Sequence, residues 1–144
     1  MPYLVGVGLA LVVCFFATLV GFDRERAFYP TVTIVVASYY GLFAVMAGST
    51  TALGMESVVI LLFFVASGLG FKLNLWIVVA ALFGHGVFDS LHAHLIANPG
   101  VPAWWPAFCL AYDVITAGYL AVLLHRSRVP ASPPDGAVSV ARRS

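Results

Sequence analysis

Five apolar runs, at approximately 3–22, 30–48, 51–70, 73–96 and 103–125, leave this chain few ways to fold. Each has about the 20 helical residues needed to cross a bilayer core about 30 Å thick. Inside that core every backbone polar group must be satisfied within the protein, so a run of this length folds as a helix. A soluble domain carries about 25% charged residues. This chain has 9%, against 62% hydrophobic residues, so lipid must solvate most of it. The expected fold is an all-α, five-span transmembrane bundle over residues 1–125. The basic tail "RSRVPASPPDGAVSVARRS", residues 126–144, has no apolar period and is expected to be disordered.

The first run has no basic segment before it and exceeds the apolar core of a secretory signal, so it reads as a retained span. Turn chemistry marks the breaks: "DRERAFYP", "GSTT", "GFKLN" and "NPGVPAWWP". With five spans, all seven Lys and Arg residues (Arg24, Arg26, Lys72, Arg126, Arg128, Arg142 and Arg143) fall on one side. The positive-inside rule then puts the N-terminus outside and the C-terminus in the cytoplasm. Trp104 and Trp105 belong to the outer interface. A net charge of +1 offers nothing to nucleic acid, and Cys14 and Cys109 lie in apolar runs without metal or disulfide spacing. Small residues recur every fourth position at Gly6, Ala10 and Cys14, at Ala17 and Gly21, and at Ala37 and Gly41. Such faces on spans one and two serve close helix contacts, within the chain or in a homo-oligomer.

Against this background the stretch "GHGVFDSLHAH", residues 84–94, stands out. On a helical wheel His85, Asp89 and His92 fall within about 60° of one another, whereas His94 points the opposite way. Gly84 and Gly86 flank His85 and favour close approach of a neighbouring helix. His85 lies eleven residues before Ile96 and Asp113 ten after Ala103, which makes the two level near mid-membrane. Glu56, Asp89 and His92 form a shallower layer open to the outside, and Tyr39, Tyr40 and Tyr112 lie nearer the deeper one. A charged side chain at the bilayer centre costs about 2.5–3.5 kcal/mol on insertion scales, so mutual pairing or a bound cation is required. The expectation is one outward-facing pocket built from Glu56, His85, Asp89, His92, Tyr112 and Asp113.

Three uses of such a pocket follow from its chemistry. Alternating imidazole and carboxylate groups at stepped depths can hold protons or a small polar or amphipathic ligand. A divalent metal is the second use, with Asp89, His92 and Glu56 as ligands and His85–Asp113 behind them, giving a metal-dependent intramembrane hydrolase acting on a lipid. His85 and His92 are about 10 Å apart along the axis, too far to share one ion. The third is a purely structural set of buried pairs that fixes helix register. Ser90 is about 100° round the helix from Asp89 and no GxSxG elbow occurs, so a serine triad is not indicated.

Gly84, His85, Asp89, His92, Pro102, Trp105, Pro106, Tyr112 and Asp113 give the chain a further reading. Their pattern, Gly-His-x-x-x-Asp-x-x-His followed by a Pro- and Trp-containing loop and Tyr-Asp, resembles an uncharacterised family of small bacterial integral-membrane proteins. The likeness covers about the C-terminal third. It implies a multi-pass protein of the bacterial inner membrane and brings no activity with it. A weaker similarity is to membrane hydrolases of the alkaline ceramidase type, which hold zinc with three histidines and an aspartate. Those have about seven spans and a His-x-x-x-His pair, which this chain lacks.

Overall fold

The computed structural model describes residues 1–133. It is all-helical, with α1 Pro2–Val20, α2 Phe28–Met46, α3 Thr50–Lys72, α4 Trp76–Leu95 and α5 Trp105–His125. All five are long and apolar enough to cross a membrane, and no strand occurs among the described residues. The chain is thus a multi-pass membrane protein. Helix α3 continues through Gly68 and Gly70 to Lys72 because, in an apolar medium, keeping the backbone bonds closed outweighs the low helix propensity of glycine. Asn74 then ends the turn, its Oδ1 accepting the Trp76 N–H at 2.9 Å, so α4 starts at Trp76 rather than 73. Helix α1 is closed by Gly21, whose φ of 89° is open to glycine at no steric cost and whose N–H donates to the Ala17 carbonyl.

The helices are ordered around the bundle as α1, α5, α4, α3 and α2, with α5 packed against both α1 and α4. Side-chain size explains the tightest contact. Gly6, Ala10, Cys14 and Ala17 form the buried face of α1, and Gly6 lies directly against the Phe108 carbonyl and Ala111 of α5. On α2, Ala37 is buried and Gly41 lies against Ile60 of α3. Both small-residue faces are therefore used for contacts within the chain. Between α1 and α2 a lipid-facing slot of about 370 Å³ remains, with Trp105, Phe108, Cys109 and Tyr112 of α5 along its floor.

The bundle has two chemically distinct ends. At one, Arg24 and Arg26 lie in the α1–α2 connection, Lys72 at the end of α3, and Arg126 and Arg128 past α5; Arg142 and Arg143 lie outside the described residues. Arg26 is buried and donates to the carbonyls of Phe71 (2.8 Å) and Pro130, which ties three segments together. Burial pulls its pKa below the ordinary arginine value, and the two carbonyls hold its charge. The chain past α5 does not leave the bundle at Arg126. Ser127 takes a left-handed φ of 52°, Val129 is buried, and Leu75 donates its N–H to Ala131 at 2.9 Å. That segment departs from the expectation of a disordered tail, because Val129 and Arg26 give it an anchor; residues 134–144 lie outside the described residues.

At the other end the α4–α5 connection folds back over α2. Asn98 accepts the Gly100 N–H at 3.2 Å, and Gly100 rests so close to the Phe43 carbonyl that no side chain fits there. This loop covers the polar residues described next.

Valine at Gly6 is expected to cost about 1–3 kcal/mol by overpacking the α1–α5 seam. At Gly8, which faces open space, the same change should stay within about 0.5 kcal/mol. Reversible unfolding of the two variants in mixed detergent micelles checks the contrast.

Candidate functional site

The polar residues of α3, α4 and α5 converge inside the bundle. Glu56, His85, Asp89, His92 and Asp113 are each at most 2% exposed. The α4 face reads as the wheel gives it, with His85, Gly86, Asp89 and His92 all buried. Gly86 is the device that brings α5 near: a Cβ there would sit 3.3 Å from the Leu110 carbonyl and 3.4 Å from Asp113 Cβ. Gly84 faces open space and plays no such part.

Two stations result. In the deep one, His85 Nδ1 is 2.7 Å from Asp113 Oδ2 and 3.3 Å from Asp89 Oδ2. Tyr40 donates its hydroxyl to Asp89 Oδ1, and the Cys109 thiol lies 3.7 Å from Asp113 Oδ2. Phe63 closes the site edge-on to the His85 ring at 4.7 Å. In the shallow station, His92 Nε2 is 2.7 Å from Glu56 Oε1, which also accepts from Asn98 Nδ2 at 2.9 Å. Tyr40 joins the two: its ring stacks on His92 with centroids 4.1 Å apart, and its carbonyl accepts from Asn98 at 3.0 Å.

The expected layers differ from these stations in one respect. Asp89 turns toward Tyr40 and His85 and belongs to the deep station, so Glu56 and His92 pair without it. Tyr112 is not among the groups brought together. It lies in the slot between α1 and α2, its ring stacked on Phe108 at 6.1 Å. Tyr40 takes the place expected of it. Cys109 and Asn98 also belong to the site without having been singled out. Cys109 precedes Asp113 by four residues, hence shares its face. Asn98 is in a loop, where periodicity says nothing.

The donor set has consequences for metals. His85, Asp89, Cys109 and Asp113 each offer one ligand atom, all within 4.8 Å of one another. Imidazole, thiolate and carboxylate are ligands of zinc and other transition metals. This group differs from the expected Asp89, His92 and Glu56 set, which the rotation of Asp89 separates. Several acceptors are unfilled: Glu56 Oε2, Asp89 Oδ2, Asp113 Oδ1 and His85 Nε2 are buried without a hydrogen-bond partner among the described residues. Buried polar atoms are ordinarily satisfied, so four in one region mark places for protons, water or an ion.

Access differs between the stations. A cavity of about 800 Å³ opens at the loop-covered end, lined by His92 and Asn98 together with Ser49, Ile96 and Pro102. The deep station touches the slot between α1 and α2 through Cys109. No family model matches the chain, and no curated protein or solved structure matches it either.

Replacing Tyr40 by phenylalanine removes the hydroxyl donor of Asp89 and should destabilise the protein by about 1–3 kcal/mol. Tyr112→Phe, at a residue with no side-chain hydrogen bond among the described residues, should change stability by less than about 0.5 kcal/mol. Equal effects in a detergent unfolding assay would remove Tyr40 from the site.

Proposed function

We propose that this multi-pass protein carries an intramembrane acid–base site that binds protons together with a small polar or amphipathic ligand. The supporting observation is the cavity lined by His92 and Asn98, which stands directly against the buried Glu56–His92 pair. A ligand entering that cavity meets an imidazole whose partner carboxylate has a free oxygen. Protonation of Glu56 or His92 changes the charge facing the ligand, so ligand and proton occupancy are linked. The deep station holds a proton among Asp89, His85 and Asp113, since two carboxylates against one imidazole cannot all stay ionised in a dry interior without an added cation. With the cationic end of the bundle in the cytoplasm, the cavity opens to the outside of a bacterial inner membrane. The resemblance to uncharacterised bacterial membrane proteins accords with that setting.

Infrared spectroscopy of the protein in lipid nanodiscs provides the test. A protonated-carboxyl band should be present and should change in intensity with pH. Glu56→Gln and Asp89→Asn should each remove a separate part of that band. A band indifferent to pH in a folded protein, with both variants unaltered, would leave the cluster with a structural role only.

One observation favours a second reading, a metal centre. The His85, Asp89, Cys109 and Asp113 ligand atoms are close enough to share one ion. Cys109 also lines the lipid-facing slot, which gives an acyl chain a way toward it. In this reading the protein is a metal-dependent hydrolase of a lipid. Elemental analysis of protein purified in mild detergent should then find near-stoichiometric zinc, iron or manganese, lost on joint His85→Ala and Cys109→Ala substitution. Absence of metal from folded, chelator-free preparations would end it.

A further inference from the structure

A second cavity, of about 620 Å³, lies at the cationic end, remote from the acid–base site. Three arginines line it from two separate segments: Arg24 in the single 3₁₀ turn after α1, and Arg126 and Arg128 past α5. All three are exposed, and none forms an ion pair among the described residues. Among the described residues Asp23 is the one carboxylate in the lining, and it accepts the Thr18 hydroxyl at 2.7 Å. The lining therefore keeps an excess of two positive charges.

The arginine-bearing segment is held in place. Ser127 reverses the chain in the left-handed region, at φ 52°, which non-glycine residues seldom adopt. Beyond it Val129 is buried, Pro130 accepts from Arg26 and Ala131 from Leu75. Arg126 and Arg128 are thus pinned between the end of α5 and this anchor, facing the turn that carries Arg24. Below them the walls change character. Thr18 and Tyr119, whose oxygens are 3.0 Å apart, lie within the spans, and Val122 beside them is half exposed to lipid. A cationic rim above hydroxyls and an apolar flank matches a lipid lying at the interface, headgroup up and chain down.

We propose that this cavity binds the phosphate of an anionic phospholipid. Arginine guanidiniums grip phosphate oxygens through paired N–H donors, and the hydroxyls of Thr18 and Tyr119 can reach the ester region. The excess positive charge selects against zwitterionic headgroups, in which the phosphate is neutralised by its own cation. Val122 supplies the surface along which the acyl stem leaves. Basic pockets between helix ends are a recognised mode of anionic lipid binding.

Native mass spectrometry of the full chain in detergent, with phosphatidylglycerol and phosphatidylcholine of matched acyl chains, tests this. Phosphatidylglycerol should bind more tightly, and each arginine removed should weaken it about fivefold. The variants are Arg126→Gln with Arg128→Gln, and separately Arg24→Gln, which lies on an exposed turn and decides the matter if the pair fails to fold. Arg142→Gln with Arg143→Gln, the control for bulk charge, should bind as the parent does. Equal binding of the two lipids, or equal loss in the control, would overturn the proposal. So would displacement of phosphatidylglycerol by inorganic phosphate at the same concentration, which would make this a site for the free anion.

Discussion

The hydrogen bond between His85 and Asp113 joins α4 to α5 in the buried interior of the bundle. Each charge left alone in a bilayer costs about 2.5–3.5 kcal/mol on insertion scales, so partners on other helices become structural requirements. Gly86 follows from that requirement, because the bond forms only if the two backbones approach closely. Tyr40 brings α2 into the same arrangement through Asp89, and Glu56 brings in α3 through His92. Helices that share no hydrophobic drive to associate in lipid are thereby given one orientation each.

The spans were legible because hydropathy over about 20 residues is a strong signal and nothing in a membrane competes with helix formation. Their ends moved by a few residues where local bonds intervened, as at Asn74. The site was legible only in part. Wheel and depth arithmetic give the face of one helix and its level, which sufficed to set His85 beside Asp113. They do not give the rotation of a neighbour. Whether Asp89 meets Glu56, His92 or Tyr40 depends on how α2 and α3 turn toward α4, and no periodicity records that. Tyr112 and Tyr40 are equally apt by depth, and only packing tells them apart. Asn98 lies in a loop whose path depends on the fit of Gly100 against Phe43.

The two ends of the bundle perform different electrostatic work. At the loop-covered end, ionisable groups are withdrawn from solvent and paired beside a cavity. At the other end, arginines are presented at the surface or, for Arg26, spent on carbonyls. That division keeps the arginines apart from the buried carboxylates.

Helix α1 packs chiefly on α5, the last of the five helices to be made. During synthesis at about 5–20 residues per second, α1 must therefore wait several seconds in the bilayer without its main partner. Its own composition suits the wait: it carries no ionisable residue except Tyr3 and Cys14 between Pro2 and Val20. Glu56 of α3 finds its partner on α4, in His92, whereas His85 of α4 meets Asp113 only when α5 arrives. Assembly thus ends with one event, the arrival of α5, which closes the His85–Asp113 pair on one side and collects the waiting helix on the other.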